Sequence, residues 1–421
     1  MGNAAKRDSR GWLMVCLFVD IQRKFWAVVG SAVFTLVFGN VAAGSESPPP
    51  AGPWSFEATY KADLLRNTHG GLAVGNAYLD NVDLTLDFDA DIGLNIPGLK
   101  IHTYLLYNNA ARFSAVYPGD AMTASNIDAP RAIRLYEAWA DWNFGGTSKT
   151  SLLVGLYDVN SEFDVTDSRR LFLNSTFGVG HELGQTGRNG PSIFPVTSLA
   201  VRLATEHSPG WSSLVAVIDG VPGDPDDPSA TRIHLSKKDG ALVMAEVAHT
   251  SERIGKIAVG AWHYTAQFEQ IDANVLHSNT PQLSTNSGGY ALIDSTLWRD
   301  TNRQSRRVEA FFRIGVSSDA VNEYDASAQL GLVLHQPFVA DVEESFGFGM
   351  AAARAGARFR RAQAAIGIAS NDAEAMLEVT YRRSINAWLT LQPDLQYIKN
   401  PSADRSISDA LVIGLRFEVT L

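Results

Sequence analysis

What most limits the folds open to this chain is a series of long segments in which apolar and polar residues alternate. In 78–92, Val82, Leu84, Leu86, Phe88, Ala90 and Ile92 oppose Asn81, Asp83, Thr85, Asp87, Asp89 and Asp91. In 54–65, Trp54, Phe56, Ala58, Tyr60, Ala62 and Leu64 oppose Ser55, Glu57, Thr59, Lys61 and Asp63. Successive side chains of a strand point to opposite faces, so a period of two marks strands with one apolar and one wetted side. A soluble sandwich can be built from such strands, so length has to decide. These run about 10 to 15 residues, where globular strands usually have about five or six and about 9 to 11 tilted residues cross a bilayer.

The pattern recurs near 99–107, 132–144, 150–158, 196–205, 211–220, 240–250, 255–267, 288–298, 306–317, 326–335, 345–353, 374–384, 386–398 and 409–421. With the first two segments this predicts an all-β fold: a transmembrane antiparallel barrel of about 16 strands, wide enough for an aqueous lumen. Short turns (93–98, 145–149, 251–254) trade places with longer connections (67–76, 109–131, 157–195, 269–287), as when the two rims face different compartments. The Ala- and Arg-rich stretch 354–371 reads as a loop or a displaced strand. The final segment alternates through Leu421, which suits closure against the first strand and removal of the exposed edge.

Composition separates the ends of the chain. Residues 1–43 carry a basic leader, an apolar run over 25–38 and small residues at Val41, Ala42 and Ala43, the pattern of a secretory signal peptide. Met14 is an alternative start. The apolar run is shorter than the roughly 20 residues of a spanning helix. Residues 44–53 form a Pro-rich linker, and 54–421 the barrel. Removing the leader's Lys6, Arg7, Arg10, Arg23, Lys24, Asp8 and Asp20 from 35 basic and 45 acidic side chains leaves 30 and 43, a balance of about −13. That acidity disfavours nucleic acid as a partner. Cys16, the one cysteine, lies in the leader, so the exported domain has no thiol.

Stretch 157–195 carries no sustained period yet lies between strictly alternating segments, and a connection of that length inside a compact domain is usually functional. It is read as a loop folded inward to narrow the barrel. Its candidate constriction residues are Asp158, Glu162, Asp164 and Asp167 together with Arg169, Arg170 and Arg188. A neutral hydroxylated solute both donates and accepts, so carboxylates facing guanidinium forks suit its passage. A solvated outer loop with incidental ion pairs is the plainer alternative. Candidate lumen-lining residues are Lys100, His102, Glu137, Trp139 and Arg202, whose default role is wetted wall. Trp139, an aromatic on a polar face, reads either as a stacking platform or as a girdle residue at a rim.

Several segments carry a likeness to a known family: LYEAWADWNF (135–144), GLYDVNSEFD (155–164), NSTFG (174–178), GPSIFPVTSLAVRL (190–203), DGVPGDP (219–225), LTLQPDLQYIKNP (389–401) and ALVIGLRFEVTL (410–421). In these the chain resembles the carbohydrate-selective porins, the OprB family. The resemblance implies a sixteen-stranded outer-membrane channel for passive diffusion of mono- or small oligosaccharides, with an inward loop as its constriction. It implies sugars and outer-membrane lipid as partners, no cofactor and no enzymatic activity, and leaves homotrimer and monomer open. The acidic balance favours a rival reading, a general or cation-preferring porin.

Three motif-like stretches are set aside. The run 87–91 begins like a calcium loop, but its Gly is displaced by one position and its twelfth residue is Gly98, not Glu. His181-Glu182 opens like a zinc-protease helix without the second His. The acidic turn 219–228 reads as solvated. With no Gly-Xaa-Ser-Xaa-Gly elbow, a lipid-cleaving barrel enzyme has no support in the sequence.

Overall fold

The computed structural model describes residues 52–109, 111–144, 149–273, 282–303, 305–339 and 342–421. The proposed leader, Met14, Cys16 and nearly all of the linker lie outside the described residues, as does most of the turn 145–149.

Sixteen strands follow one another around the ring. They are β1 (Trp54–Gly71), β2 (Gly75–Asp89), β3 (Leu99–Asn108), β4 (Ala132–Phe144), β5 (Thr150–Tyr157), β6 (Ser198–Ser208), β7 (Trp211–Asp219) and β8 (Ala241–Ser251), continued by β9 (Gly255–Glu269), β10 (Leu283–Arg299), β11 (Arg307–Ser317), β12 (Tyr324–His335), β13 (Glu344–Ala355), β14 (Ala373–Ser384), β15 (Leu389–Lys399) and β16 (Ser408–Thr420). Each pairs antiparallel with its neighbours, and β16 returns to β1, closing the barrel. The expected fold class and strand count therefore hold. One rim carries the longer connections 109–131, 158–197, 220–240 and 356–372, the other the short ones such as 209–210 and 252–254.

Alternation sets the two faces. On β11, Phe312 is 44% exposed and Arg313 0%. On the neighbouring β12, Leu330 is 45% exposed and Gln329 0%. Outward side chains form an apolar wall and inward ones a polar wall, the reverse of a soluble barrel and the arrangement hydrocarbon requires. At the closing seam Lys61 stands opposite Glu418 and Asp63 opposite Arg416. Arg416 holds Asp63 by two hydrogen bonds, Nε to Oδ1 at 2.6 Å and NH2 to Oδ2 at 2.8 Å. An Arg fork matched to a carboxylate fixes geometry as well as charge, so the pair helps to hold the register of the closing seam.

Three expectations are corrected. β1 runs on to Gly71, and the expected loop 67–76 shrinks to the turn 72–74, because inward Asn67 donates its Nδ2 to Gly70 O and Ala73 O, both at 2.8 Å. β2 stops at Asp89 instead of reaching Ile92: the Asp89 carboxylate accepts from Asp91 N and Ile92 N and caps the helix Ala90–Leu94. The stretch 354–371 is neither plain loop nor displaced strand, since β13 runs to Ala355 and a helix, Ala357–Ala365, follows.

Phe312 lies midway along β11 on the outward face. Phe312→Lys is expected to destabilise the membrane-inserted barrel by roughly 2–4 kcal/mol. Reversible denaturant unfolding in liposomes measures this, and an unchanged midpoint would contradict a hydrocarbon-facing wall.

Candidate functional site

Loop 158–197 leaves β5 and lies against the inner wall, as its bonds to inward side chains on successive strands require. Asp164 N donates to Glu246 Oε2 on β8 (2.9 Å), Ser168 Oγ to Asp294 Oδ1 on β10 (2.6 Å) and Leu173 N to Glu378 Oε1 on β14 (2.6 Å). Gln392 on β15 donates its Nε2 to Leu171 O at 2.6 Å. The loop begins with short helical turns capped by its own side chains: Asp158 accepts from Asn160 N and Asn174 from Thr176 N.

Arg313 is its pivot. From mid-β11 the guanidinium meets Asp164 Oδ2 at 2.9 Å and Glu182 Oε1 at 2.6 Å, tying two separate parts of the loop to one wall residue. Arg169 reaches Asp164 Oδ1 at 3.0 Å and Gln329 Oε1 on β12 at 2.9 Å. Asp164 adopts the left-handed backbone region (φ 56°), which Asp tolerates better than most residues, and this turns its carboxylate between the two cations. Burial alone would push that carboxyl up, but Arg313 and then Arg169 outweigh it and hold it below its usual range.

An apolar seat completes the docking. Phe172 and Phe177 lie with ring centroids 4.5 Å apart, tilted by 33°, and both meet Phe311 edge-on. On β13 the wall beneath them is glycine: a Cβ on Gly349 would stand 2.7 Å from both rings, and one on Gly347 2.8 Å from Leu171. Residues 111–131 of the connection 109–131, which the sequence reading did not place inside, lie there too. Glu374 on β14 accepts from Ala121 N (2.8 Å) and Met122 N (2.9 Å), while Ser125 Oγ donates to Asp63 Oδ2 at 2.7 Å. The two loops bond each other through Asn126 N to Leu173 O at 2.7 Å. Buried Phe113, Met122 and Ile127 were the available sequence signal, being apolar residues in a connection.

The candidate residues thus separate. Asp164 and Arg169 are buried and anchor the loop, as does Arg202, which binds Glu162 at 2.7 Å and Ser151 Oγ at 2.6 Å. Asp167 and Arg170 are exposed, and neither has a side-chain partner among the described residues. Arg188 is exposed at the long-loop rim, paired with Asp239 at 3.0 Å, apart from the others. Lys100 is exposed near the short-turn rim. His102 binds Asp87 at 2.7 Å and stacks on Trp139, centroids 4.8 Å apart, so Trp139 belongs to the inner wall and not to an outward girdle. Glu137 accepts from Trp139 Nε1 (3.2 Å) and from Asp158 N (3.1 Å), while Asp158 accepts from Tyr136 OH at 2.6 Å. Sequence reasoning missed Arg313, Glu246 and Glu378 and set Glu182 aside with a rejected zinc motif. A charged residue at the midpoint of an alternating strand was the signal for Arg313. His181, from the same motif, packs edge-on to Tyr324 at 4.6 Å, and burial pushes its imidazole down to about 4.

A closed sixteen-strand barrel with a polar inner wall and a loop pinned across it defines a diffusion porin, a channel and not an enzyme. The model of one porin family, the carbohydrate-selective OprB porins, matches residues 74–421, and the chain belongs to that family. It is 23% identical to Porin B of Pseudomonas aeruginosa over 412 residues, covering 87% of each protein. A putative porin, QuiX of Acinetobacter baylyi, is 22% identical over 401 residues, with 86% of this chain and 88% of that protein covered. Among solved structures, the high-pH form of Pseudomonas putida OprB shares the fold with a TM-score of 0.77 at 19% identity, over 88% of this chain and 94% of that one.

Two outcomes follow. Arg313→Ala leaves Asp164 and Glu182 buried without their shared cation, a loss of about 3–5 kcal/mol for a broken buried pair. The barrel is expected to keep its heat-modifiable gel mobility while the loop gains protease sensitivity and single-channel conductance rises; unchanged conductance would refute the pivot. Burial raises the Asp158 carboxyl to about 6 although Tyr136 and Asn160 N donate to it. A raised carboxylate favours the folded state at low pH and gives up that contribution as pH climbs to about 6, where it becomes charged. The potassium-over-chloride permeability ratio is therefore expected to rise through about pH 6, with a flatter profile in Asp158→Asn, as reversal potentials would read.

Proposed function

We propose that neutral mono- and small oligosaccharides diffuse through this porin past the solvent-facing side of loop 158–197. Asp167 and Arg170 face the solute from the part of the loop that lies toward the short-turn rim, and the Asp158 and Glu162 carboxylates lie nearer the long-loop rim. The supporting observation is the division of labour within the loop. Its buried charges are spent on one another and on Arg313, whereas Arg170 and Asp167, a fork of donors and a pair of acceptors, remain exposed with no side-chain partner among the described residues. A sugar leaving bulk water needs both kinds of partner. The stacked His102–Trp139 pair offers an apolar face for the sugar ring lower on the wall.

In this reading the barrel lies in a Gram-negative outer membrane, with the short turns periplasmic and the long loops outside. Residues 1–43 deliver the chain there as a signal peptide, with 44–53 as linker. A second reading, a cation-preferring general porin, is favoured by the carboxylates Asp83, Asp87 and Asp294 on the inner wall.

Liposomes carrying the purified protein are expected to swell faster in glucose than protein-free ones, and graded sugar block of single-channel current is expected to weaken at least fivefold in Arg170→Ala. No difference in swelling would sink the sugar-pore reading. Block that is absent beside a strong cation preference would establish the second one.

A further inference from the structure

The hydrocarbon-facing wall is not uniformly filled. Over β12 to β15 it carries a groove of about 320 Å³. Register accounts for it: Ala328, Ala352, Ala375 and Lys399 stand directly opposite one another on four adjacent strands, so three neighbouring outward positions project only a methyl. One step toward the short-turn rim, Leu330, Met350, Leu377 and Tyr397 make the next outward row and form a ledge. One step toward the long-loop rim, Arg354 stands between Ala326 and Ala373.

The groove is apolar along its length and cationic at its long-loop end. Asp325 Oδ1 holds the Arg354 Nε at 2.7 Å, but the side chain is 62% exposed and its terminal nitrogens stay free among the described residues. Lys399 forms no ion pair among the described residues. The carboxylate of Asp409 on β16 is already engaged by Tyr397 OH at 2.6 Å and Asn400 N at 2.9 Å. Both cations lie near the ends of their strands, at the level where hydrocarbon gives way to headgroups. A recess facing hydrocarbon forfeits dispersion contacts unless something follows its contour. A flexible alkyl chain can do so, and the cations above it select an anionic group at the head of that chain.

We propose that this groove binds one acyl chain of a phosphate-bearing membrane lipid, with the headgroup phosphate at Lys399 and Arg354. The site is distinct from the lumen and independent of what passes through it.

The test is native mass spectrometry of the detergent-purified barrel titrated with dimyristoyl phosphatidylglycerol, using dimyristoylglycerol as the phosphate-free counterpart. The expected result is a saturable one-lipid adduct with the phosphatidylglycerol and at least tenfold weaker binding of dimyristoylglycerol. Ala352→Leu, which fills the groove, and Lys399→Glu should each weaken the phosphatidylglycerol adduct at least tenfold, while Val259→Leu on a distant part of the outer wall leaves it unchanged. Heat-modifiable gel mobility confirms that every variant is folded. Equal binding of the two lipids would overturn the role of the phosphate, and undiminished binding by Ala352→Leu would overturn the groove. If Ala352→Leu instead converts an oligomer to a monomer with lipid retention intact, a second copy of the chain is the occupant and the proposal fails.

Discussion

Hydrocarbon supplies no hydrogen-bonding partners, so every backbone N–H and C=O of a spanning strand must be satisfied by another strand. From that constraint follow the closed ring and the pairing of β1 with β16 across almost the whole sequence. The seam is the place where closure has to be specified and not merely permitted. There Arg416 grips Asp63 by both arms, and Ser125 of an inward loop donates to the same carboxylate. The ring and its contents are therefore joined at the seam, and the internal loops bond to the wall they help to complete.

The loops are held by two kinds of interaction with different roles. Apolar seats, Phe172 and Phe177 over Gly347 and Gly349, supply burial without demanding one orientation. The charges around Arg313 supply orientation. A buried ion pair adds little net stability over a well-packed apolar substitute, because desolvation offsets most of the attraction. It is nonetheless intolerant of misplacement, since a carboxylate without its guanidinium inside the wall is costly. Asp164, drawn below its usual carboxylate range by Arg313 and Arg169, is such a group.

The barrel was legible in the sequence because hydrocarbon and water impose opposite demands on the two faces, and a period of two records that demand residue by residue. Where the demand weakens, so does the signal. The top of β1 rises beyond the apolar band, its residues become polar on both sides, and the strand past Leu65 read as loop. At Asp89 an acid that continued the alternation was instead a helix cap. The candidate site was legible only by composition. An acidic and basic stretch between strands identified the loop, but which of its charges would face water and which would face Arg313 depends on wall residues more than a hundred positions away. Asp164 and Arg169 looked like solute contacts and are anchors; Arg170, next in sequence, points the other way.

The glycine seats also bear on how such a channel diversifies. A side chain at Gly349 would collide with both phenyl rings, and one at Gly315 would run into Glu182, so the wall beneath the loop has little mutational freedom. The exposed side of the loop carries no such restriction. Lineages can therefore retune what permeates by exchanging a few solvent-facing residues around Asp167 and Arg170, leaving the scaffold that presents them untouched.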